Sequence, residues 1–482
     1  MNTKPTGTRP TGTRRFVGRE IELGKLEEHL DRVRQSGSGR MLALRGRRQI
    51  GKSRLVEEFI ARSGARAVFY TASRQSAAEE LRSFSEQIAA STSDGATVAA
   101  AGPIGSWEAA LSIAASGACT EQPVVLVIDE LPFLIESEPA IEGIVQKQWD
   151  RSLEAQPVLL LLIGSDVSMM SALNDYGRPL YGRLTEMTIG PLSPAAIGDM
   201  LGLAPAATLD AYLVIGGFPR LAQIWRHGED VWKFLRRELQ SPESPLIVLG
   251  ERSLSAEFPA EIKARGALEA IGAGERVFTA ILQRAHVSNK TLEMTLATLI
   301  AKRVIDKRLP YSAQSHPKLS RYYVRDPYLR FWLRFIAASI PALERGRGDI
   351  VYRQIRESFP SYAGHAIEPL VRDAIQTMLP DARFGGAEFV GSFWNREGSV
   401  EVDLVGGRTQ TTSEQIDFVG SIKWRTRGEL GRSDLSKLIQ HRALIPGATD
   451  ETLLVGVSRN GFGVDGLDLR LTPEDIVAAF GA

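Results

Sequence analysis

Residues 46–53 read Gly-Arg-Arg-Gln-Ile-Gly-Lys-Ser, a glycine and four residues followed by Gly-Lys-Ser. The apolar run from Met41 to Arg45 precedes this segment, and a stretch with helical spacing of apolar residues starts at Ser53. A glycine-rich turn between a buried strand and a helix lets backbone N–H groups and the helix N-terminus surround a phosphate group. The segment therefore predicts a phosphate-binding P-loop made of Gly46, Arg47, Arg48, Gln49, Ile50, Gly51, Lys52 and Ser53.

The P-loop and a second strand together predict ATP and Mg²⁺ as ligands. We expect Lys52 to contact the β- and γ-phosphates and the hydroxyl of Ser53 to bind Mg²⁺. Two carboxylates, Asp129 and Glu130, directly follow the apolar run 124–128. Asp129 is predicted to hold Mg²⁺, directly or through water, and Glu130 to act as general base towards the attacking water.

Two further polar residues are candidates for the chemistry. Ser165 follows the apolar run 157–163, which predicts a position beside the γ-phosphate, although a turn or helix-cap serine explains the pattern equally well. Arg183 is a candidate arginine finger or sensor, because a cation has to offset the charge that develops on the γ-phosphate. A solvated surface arginine would have the same sequence signature. If Arg183 acts on a neighbouring copy, hydrolysis requires a homo-oligomer.

Apolar runs alternate with helical segments throughout the first 190 residues. Strands that are apolar on both faces and alternate with helices indicate a parallel sheet that is covered on both sides. The predicted fold class is therefore α/β. The predicted strands cover residues 41–45, 66–72, 123–128, 157–163 and 186–189, and the predicted helices cover 53–63, 77–90 and 139–154.

Short motifs along the chain follow the order found in one family of ATPases. They are Phe16-Val17-Gly18-Arg19-Glu20, Gly164-Ser165, Pro179 to Arg183, Pro191-Leu192 and Gly216 to Pro219. By these motifs the chain resembles archaeal-type AAA/STAND-like P-loop ATPases. That family joins a P-loop core to a helical lid, a winged helix-turn-helix and a C-terminal restriction-endonuclease-like domain of the PD-(D/E)xK type. The resemblance implies that Val17, Gly18 and Arg19 lie on the adenine side of the nucleotide and Pro219 near the base.

The resemblance covers nearly the whole chain after residue 15 and implies its domains. A stretch with prolines and glycines at 341–349 is interpreted as a linker. The predicted division is a disordered tail at 1–15, a P-loop ATPase core at 16–192, a helical lid at 193–245, a winged helix-turn-helix at 246–340 and a restriction-endonuclease-like α/β domain at 350–482.

Charge is balanced over the whole chain but not within one segment. The 58 Lys and Arg against 57 Asp and Glu give a net charge of +1, so the protein is no polycation. Residues 281–334, however, hold eleven Lys and Arg against three acidic residues. On a winged-helix outline, with a recognition helix at 288–301 and a wing at 306–322, this excess predicts contact with the phosphates of double-stranded DNA. Docking of a protein partner is the alternative.

The resemblance also implies a nuclease-like site at Glu368, Glu401, Asp403 and Lys423. A working nuclease needs carboxylates that converge on Mg²⁺ and a lysine that steadies the attacking water or the phosphate. Ser421 stands where the pattern has Glu or Gln, and a hydroxyl is a weaker ligand for a hard cation than a carboxylate. A domain that binds without cleaving is therefore favoured over an active nuclease.

Other classes of protein are excluded by simple counts. A single cysteine, Cys119, rules out a disulfide within the chain, and the six histidines form no pair at the helical spacing of a zinc site. The longest apolar run is far shorter than the ~20 residues of a membrane-spanning helix. We therefore expect a cytoplasmic protein without a membrane partner.

These features predict a Mg²⁺-dependent enzyme that binds and hydrolyses ATP and associates with DNA through its winged helix and nuclease-like domain. The alternative is an ATP-gated signalling switch or scaffold that binds a protein partner and carries a catalytically decayed nuclease-like domain. A salt-dependent affinity for DNA would favour the first, and a DNA-independent complex with a protein would favour the second.

Overall fold

The chain divides into two units in the computed structural model, which describes residues 16–257 and 262–481. The first unit runs to Ile189 without residues 48–50, which group with the second unit from Gly190 onwards. The predicted tail at 1–15 lies outside the described residues.

A five-stranded parallel sheet forms the centre of the first unit, in the order β2-β3-β4-β1-β5. Its parallel register places Asp129 opposite Thr71, and Arg45 opposite Gly164, so these residues end neighbouring strands at the same edge. The predicted α/β class is confirmed. The strands are β1 (Arg40–Arg45), β2 (Arg66–Thr71), β3 (Val124–Asp129), β4 (Val158–Gly164) and β5 (Leu184–Thr188).

Helices join these strands and bury their apolar faces against the sheet. Strands β3 and β4 are buried along their whole length, as their unbroken apolar sequences predict. The first helix presents Leu23, Leu26 and Leu30 to the core at helical spacing. The helices are α1 (Glu20–Ser36), α2 (Lys52–Ser63), α3 (Ala77–Ala89), α4 (Ala96–Ala100), α5 (Trp107–Ala114), α6 (Leu131–Ser137), α7 (Ile141–Arg151) and α8 (Val167–Ala172).

The second unit begins with helices and ends with a mixed sheet. The early helices are α9 (Pro194–Leu201), α10 (Pro205–Ile215), α11 (Pro219–Ile224), α12 (Val231–Glu238) and α13 (Pro245–Glu257). Helices α14 (Ile262–Gly272), α15 (Phe278–Ala285) and α16 (Asn289–Ala301) then precede an antiparallel hairpin of β6 (Ile305–Arg308) and β7 (Arg321–Val324). Three helices and a hairpin thus follow one another as the sequence predicts.

The C-terminal sheet has the order β12-β11-β10-β9-β8, antiparallel from β8 to β10 and parallel from β10 to β12. Its strands are β8 (Phe389–Trp394), β9 (Glu401–Gly407), β10 (Ile416–Lys423), β11 (Leu453–Ser458) and β12 (Leu469–Leu471). The remaining helices are α17 (Pro327–Phe331), α18 (Ile340–Glu344), α19 (Gly348–Met378), α20 (Arg432–Arg442) and α21 (Pro473–Ala478).

The interpretation of residues 341–349 as a linker is wrong. Pro341 lies in the first turn of α18, where a proline is well tolerated, and Gly346 turns the chain with a φ of 72°. Gly348 starts α19 against the backbone of Leu239, so closely that an added Cβ would lie 1.9 Å from the carbonyl oxygen. The proline and glycines therefore mark the ends of two packed helices.

Within the described residues, no single helix has both the length and the apolar composition needed to cross a membrane. Helices α9 and α10 meet this test only when taken together, and the chain bends by 106° between them.

Candidate nucleotide site

The P-loop follows β1 and leads into α2, as its motif predicts. Gly51 caps the helix with a left-handed φ of 89°, and no side chain caps the helix N-terminus. The first N–H groups of α2 therefore have no partner within the helix and are available to an anion. The ammonium group of Lys52 donates to the carbonyl oxygens of Gly46, at 2.9 Å, and Arg47, at 3.0 Å. These contacts fold the lysine side chain back over its own loop.

Ser53 and Asp129 meet beside the P-loop. The Ser53 hydroxyl donates to a carboxylate oxygen of Asp129 at 2.6 Å, although 76 residues separate them. Burial raises the pKa of the Asp129 carboxyl, while hydrogen bonds from Ser53 and the N–H of Glu130 oppose the rise. A buried carboxylate beside a hydroxyl is a donor set of hard oxygens that suits Mg²⁺. The residues that are present therefore fit the predicted cation.

Glu130 and Ser165 form a second pair at the same edge of the sheet. The Ser165 hydroxyl donates to a carboxylate oxygen of Glu130 at 2.8 Å. Gly164, before Ser165, lets Met170 and Pro132 pack closely against the end of β4, because an added Cβ would lie 2.4 Å from the Met170 sulfur and 2.8 Å from Cδ of Pro132. The serine therefore orients the carboxylate that the sequence predicts to be the general base.

Left-handed backbone recurs at the predicted nucleotide-binding segments. The φ angles of three non-glycine residues there are 74° at Arg19, 63° at Gln49 and 52° at Glu130. Such conformations cost about 1–3 kcal/mol each and persist where the surrounding structure holds them. Gly18 is also left-handed, and Arg19 is buried and pairs with Glu22 at 2.7 Å.

Arg183 lies in the loop before β5 and binds a carboxylate of its own unit. Its guanidinium donates two hydrogen bonds to Asp150, at 2.7 and 2.8 Å, and a third to the carbonyl oxygen of Pro179 at 3.3 Å. Both side chains of the ion pair are partly exposed. These contacts do not test the role of Arg183 as an arginine finger, which stays a prediction. Pro219 lies in the first turn of α11, in the second unit.

The four predicted nuclease-like residues have different partners. Glu368 lies 3.6 Å from the guanidinium of buried Arg372, which also donates to the backbone carbonyl of Asp403 at 2.8 Å. Asp403 accepts hydrogen bonds from the N–H of Ile422, at 2.7 Å, and the hydroxyl of Ser421, at 3.3 Å.

The other two predicted nuclease-like residues form ion pairs away from that arginine. Glu401 pairs with Arg321 at 2.7 Å, and the ammonium group of Lys423 lies 4.0 Å from Asp434. Over the described ranges, no group of three or more His, Cys, Asp or Glu side chains is placed to hold a metal ion. Whether this domain cleaves is not tested by these contacts, and binding without cleavage stays the prediction.

Sequence reasoning missed two polar groups near the nucleotide edge. Arg45 ends β1 and reaches Ser171 at 2.5 Å, Glu186 at 2.8 Å and Thr188 at 3.0 Å, which joins β1 to β5 and α8. Glu80 is fully buried and accepts hydrogen bonds from Tyr70 and from the N–H groups of the turn after β2. The sequence position of Arg45, directly before the P-loop, could have marked it as a functional residue. Nothing in the sequence pattern of α3 distinguishes Glu80 from the other acidic residues there.

Comparison with known proteins bears on both units. Residues 16–205 match the model of an ATPase domain predominantly from Archaea, and residues 332–437 match a family of archaeal and bacterial proteins of unknown function. An uncharacterized protein of Methanocaldococcus jannaschii is 24% identical over 428 residues, which are 88% of this chain and 90% of that protein. The ATPase match supports ATP binding and hydrolysis by the first unit.

Two solved structures are similar to the chain at low identity. A Walker-type ATPase of Pyrococcus abyssi has a TM-score of 0.46 and 17% identity, covering 66% of this chain and 96% of that chain. The ORC2 protein of Aeropyrum pernix, in ADPNP–ADP complexes, has a TM-score of 0.42 and 14% identity, covering 70% and 95%. Both TM-scores are below 0.5, so neither likeness supports a statement about function.

Proposed function

We propose that the protein is a Mg²⁺-dependent ATPase whose nucleotide cycle controls the association of its second unit with DNA. The observation that carries the ATPase part is the meeting of two polar pairs, Ser53 with Asp129 and Glu130 with Ser165, at the edge where the P-loop lies. Each pair joins residues from different strands or helices, and each has the chemistry that one step of hydrolysis requires.

The roles of these residues follow from their chemistry. Lys52 leaves its loop carbonyls to contact the phosphates, and the N–H groups at the N-terminus of α2 face them. Ser53 and Asp129 would hold Mg²⁺, which would supply positive charge against the phosphates. Glu130 takes the proton of the attacking water, and the hydrogen bond from Ser165 keeps its carboxylate in place.

Arg183 has to exchange partners before it can act on a phosphate. Its present partner is Asp150, and an ion pair with both side chains partly exposed contributes only about 0–1 kcal/mol. An incoming γ-phosphate is a stronger competitor for a guanidinium, because it offers more negative charge and more acceptor oxygens. A second copy of the chain is one source of that phosphate, which makes a homo-oligomer the proposed active form.

The DNA-binding part of the proposal rests on the basic residues that stay exposed around α16 and the hairpin. Several members of the basic segment have other partners: Arg284 pairs with Glu275, Arg308 with Asp306 and Arg321 with Glu401. Of the exposed basic residues of the segment outside these pairs, Arg334 donates to the carbonyl oxygen of Ala273. The other five remain for phosphate contacts: Lys290, Arg303, Lys307, Lys318 and Arg325. The proposed DNA surface is therefore smaller than the charge count of the sequence suggests.

Neutralising two of these residues tests the DNA surface. The variant Arg303→Gln with Lys307→Gln should bind double-stranded DNA more weakly, and the slope of log affinity against log salt should fall by about two. The matched control is Lys25→Gln with Arg82→Gln, two exposed residues of the first unit with the same change of charge. Fluorescence anisotropy with labelled DNA over a salt series measures both. Equal affinities for the wild type and the Arg303/Lys307 variant would refute this surface.

The alternative proposal is an ATP-gated scaffold for a protein partner. The observation that favours it is the exposure of Met294, at 64% of its surface, together with Ile300 and Leu309 on the same three-helix and hairpin segment. Apolar side chains suit a protein interface better than a DNA backbone. A partner complex that forms without DNA and is lost in Met294→Glu would favour the scaffold.

The nuclease-like domain is proposed to bind rather than to cleave. Arg372 brings its own positive charge to Glu368, a carboxylate with which a nuclease would hold a metal ion, and donates to the backbone carbonyl oxygen of Asp403. Ser421 adds only a hydroxyl to this group. A fixed guanidinium therefore replaces the cation on which cleavage depends.

A further inference from the structure

A cavity of about 330 Å³ lies within the second unit, between the end of α14, strand β7 and the middle of α19. None of the predicted nuclease-like residues or nucleotide-site residues is among the described residues that line it, although Pro369, which follows Glu368, is. Its polar lining includes Arg276, Arg330, Arg334, His365, Tyr323 and Tyr362. We call it the arginine cavity.

Positive groups, but no carboxylate, line the arginine cavity. Its lining contains three guanidinium groups and an imidazole but no Asp or Glu. Arg330 donates to the carbonyl oxygens of Val324 and Ala366, at 2.7 and 2.9 Å, and Arg334 to that of Ala273 at 2.7 Å. Within the described part of the chain, none of the three arginines forms an ion pair.

The nearest acidic groups are engaged elsewhere. Glu368 lies one turn beyond His365 on α19 and pairs with Arg372 at 3.6 Å. Asp326 caps α17 by accepting a hydrogen bond from the N–H of Leu329 at 2.7 Å. Burial lowers the pKa of Arg330, and the guanidinium groups of Arg308 and Arg276 add to this fall, while Tyr362 and Asp326 oppose it. Positive charge that is held together without a counter-ion in a partly closed space is relieved by an anion.

The size and chemistry of the space select among anions. A volume of about 330 Å³ is at the lower end of small-molecule pockets, which is enough for a compact organic ligand. Guanidinium groups match the geometry of phosphate oxygens, and three in one cavity suit a dianionic group. The apolar lining includes Ile271, Val324 and Pro369, which can cover the carbon skeleton of such a ligand.

We propose that the arginine cavity binds a small phosphomonoester, with its phosphate group on Arg276 and Arg334 and its carbon skeleton in the space between β7 and α19. Arg330 is a positioning residue, because its hydrogen bonds to Val324 and Ala366 fix β7 against α19. The ligand contacts both the basic hairpin, through β7, and the long helix that leads to the C-terminal sheet. Its occupancy therefore couples these two parts of the second unit.

Calorimetry with ribose 5-phosphate and with ribose tests the proposal on the full chain. We expect saturable binding of ribose 5-phosphate at millimolar concentration or below and no binding of ribose. Arg334→Gln should weaken the affinity at least about tenfold, and Arg276→Gln with Arg334→Gln about a hundredfold, since each removes a charged hydrogen bond. The matched control Arg345→Gln, an exposed arginine outside the cavity, should leave the affinity unchanged.

A further variant separates this site from the nucleotide site. Lys52→Ala disables phosphate binding at the P-loop and should leave the affinity for ribose 5-phosphate unchanged. Loss of binding in Lys52→Ala, with full binding in the double arginine variant, would overturn the proposal. So would the absence of binding in the wild type, or arginine-dependent binding of a 5′-phosphorylated oligonucleotide without binding of ribose 5-phosphate, which would assign the cavity to DNA ends.

Discussion

Replacing Ser165 with alanine tests whether the second polar pair takes part in hydrolysis. The substitution removes one hydroxyl and leaves Gly164, with its tight contacts to Met170 and Pro132, in place. Only the 2.8 Å hydrogen bond to Glu130 is lost. Because Ser165 contacts the predicted base and not the P-loop, ATP affinity should stay within about twofold while kcat falls.

The size of the fall follows from the bond that is lost. A hydrogen bond to a charged group contributes about 1.5–3 kcal/mol. If all of it serves the transition state, kcat falls about 10- to 150-fold. Glu130→Gln removes the base itself and should cost more, about 10²- to 10⁴-fold. In the double variant the loss should equal that of Glu130→Gln alone, because the serine acts only through the carboxylate.

Steady-state phosphate release at saturating Mg–ATP measures these effects. The matched control is Ser137→Ala on α6, whose hydroxyl donates to the carbonyl oxygen of Phe133 at 2.7 Å and contacts neither predicted pair. It should retain the wild-type kcat within about twofold. An unchanged kcat in Ser165→Ala, or an equal further loss when it is added to Glu130→Gln, would refute the reasoning.

Three other predictions concern the second unit: two on its stability and one on DNA cleavage. In Gly250→Ala the new Cβ would lie 2.2 Å from the buried ring of Trp332, so the free energy of unfolding should fall. The overpacking costs about 1–3 kcal/mol, and the higher helix propensity of alanine offsets roughly 1 kcal/mol of this loss. Gly364→Ala, in α19, should instead stabilise the second unit by about 0.4–1 kcal/mol, because an added Cβ there has no other atom within 4 Å. Thermal unfolding followed by tryptophan fluorescence compares the two variants. Plasmid DNA incubated with the wild type and Mg²⁺ or Mn²⁺ should stay intact, because Glu368 already pairs with the guanidinium of Arg372. Nicking that Asp403→Ala abolishes would show the opposite.

The sequence predicts the sheet of the first unit well because each of its strands is marked locally. The predicted strand at 123–128 is apolar on both faces and precedes two carboxylates, and the observed strand β3 is shifted from it by one residue, to Val124–Asp129. The meeting of Ser53 with Asp129 follows from the motif, since β1 before the P-loop and β3 before Asp129 end at the same edge of one parallel sheet, with β4 between them.

Contacts between distant segments leave no such mark. Arg321 and Glu401 lie 80 residues apart in the sequence, and Arg183 and Asp150 lie 33 residues apart. The local sequence around each of these residues is the same whether or not its side chain forms an ion pair. Counting charge over residues 281–334 therefore overestimates the exposed basic surface. The sequence does not predict the arginine cavity for the same reason, because its cationic side chains come from separate segments of the chain.

The rate of Mg²⁺-dependent ATP hydrolysis, with and without double-stranded DNA and over a salt series, tests the central claim most directly. The account predicts turnover in the wild type, stimulation by DNA that fades as salt rises, and loss of at least about a hundredfold in Glu130→Gln. The control Glu136→Gln, an exposed residue of α6, should keep the wild-type rate. A slow rate that is indifferent to DNA would contradict the DNA part and favour the scaffold. No turnover in the wild type, or equal rates in the wild type and Glu130→Gln, would contradict the claim itself.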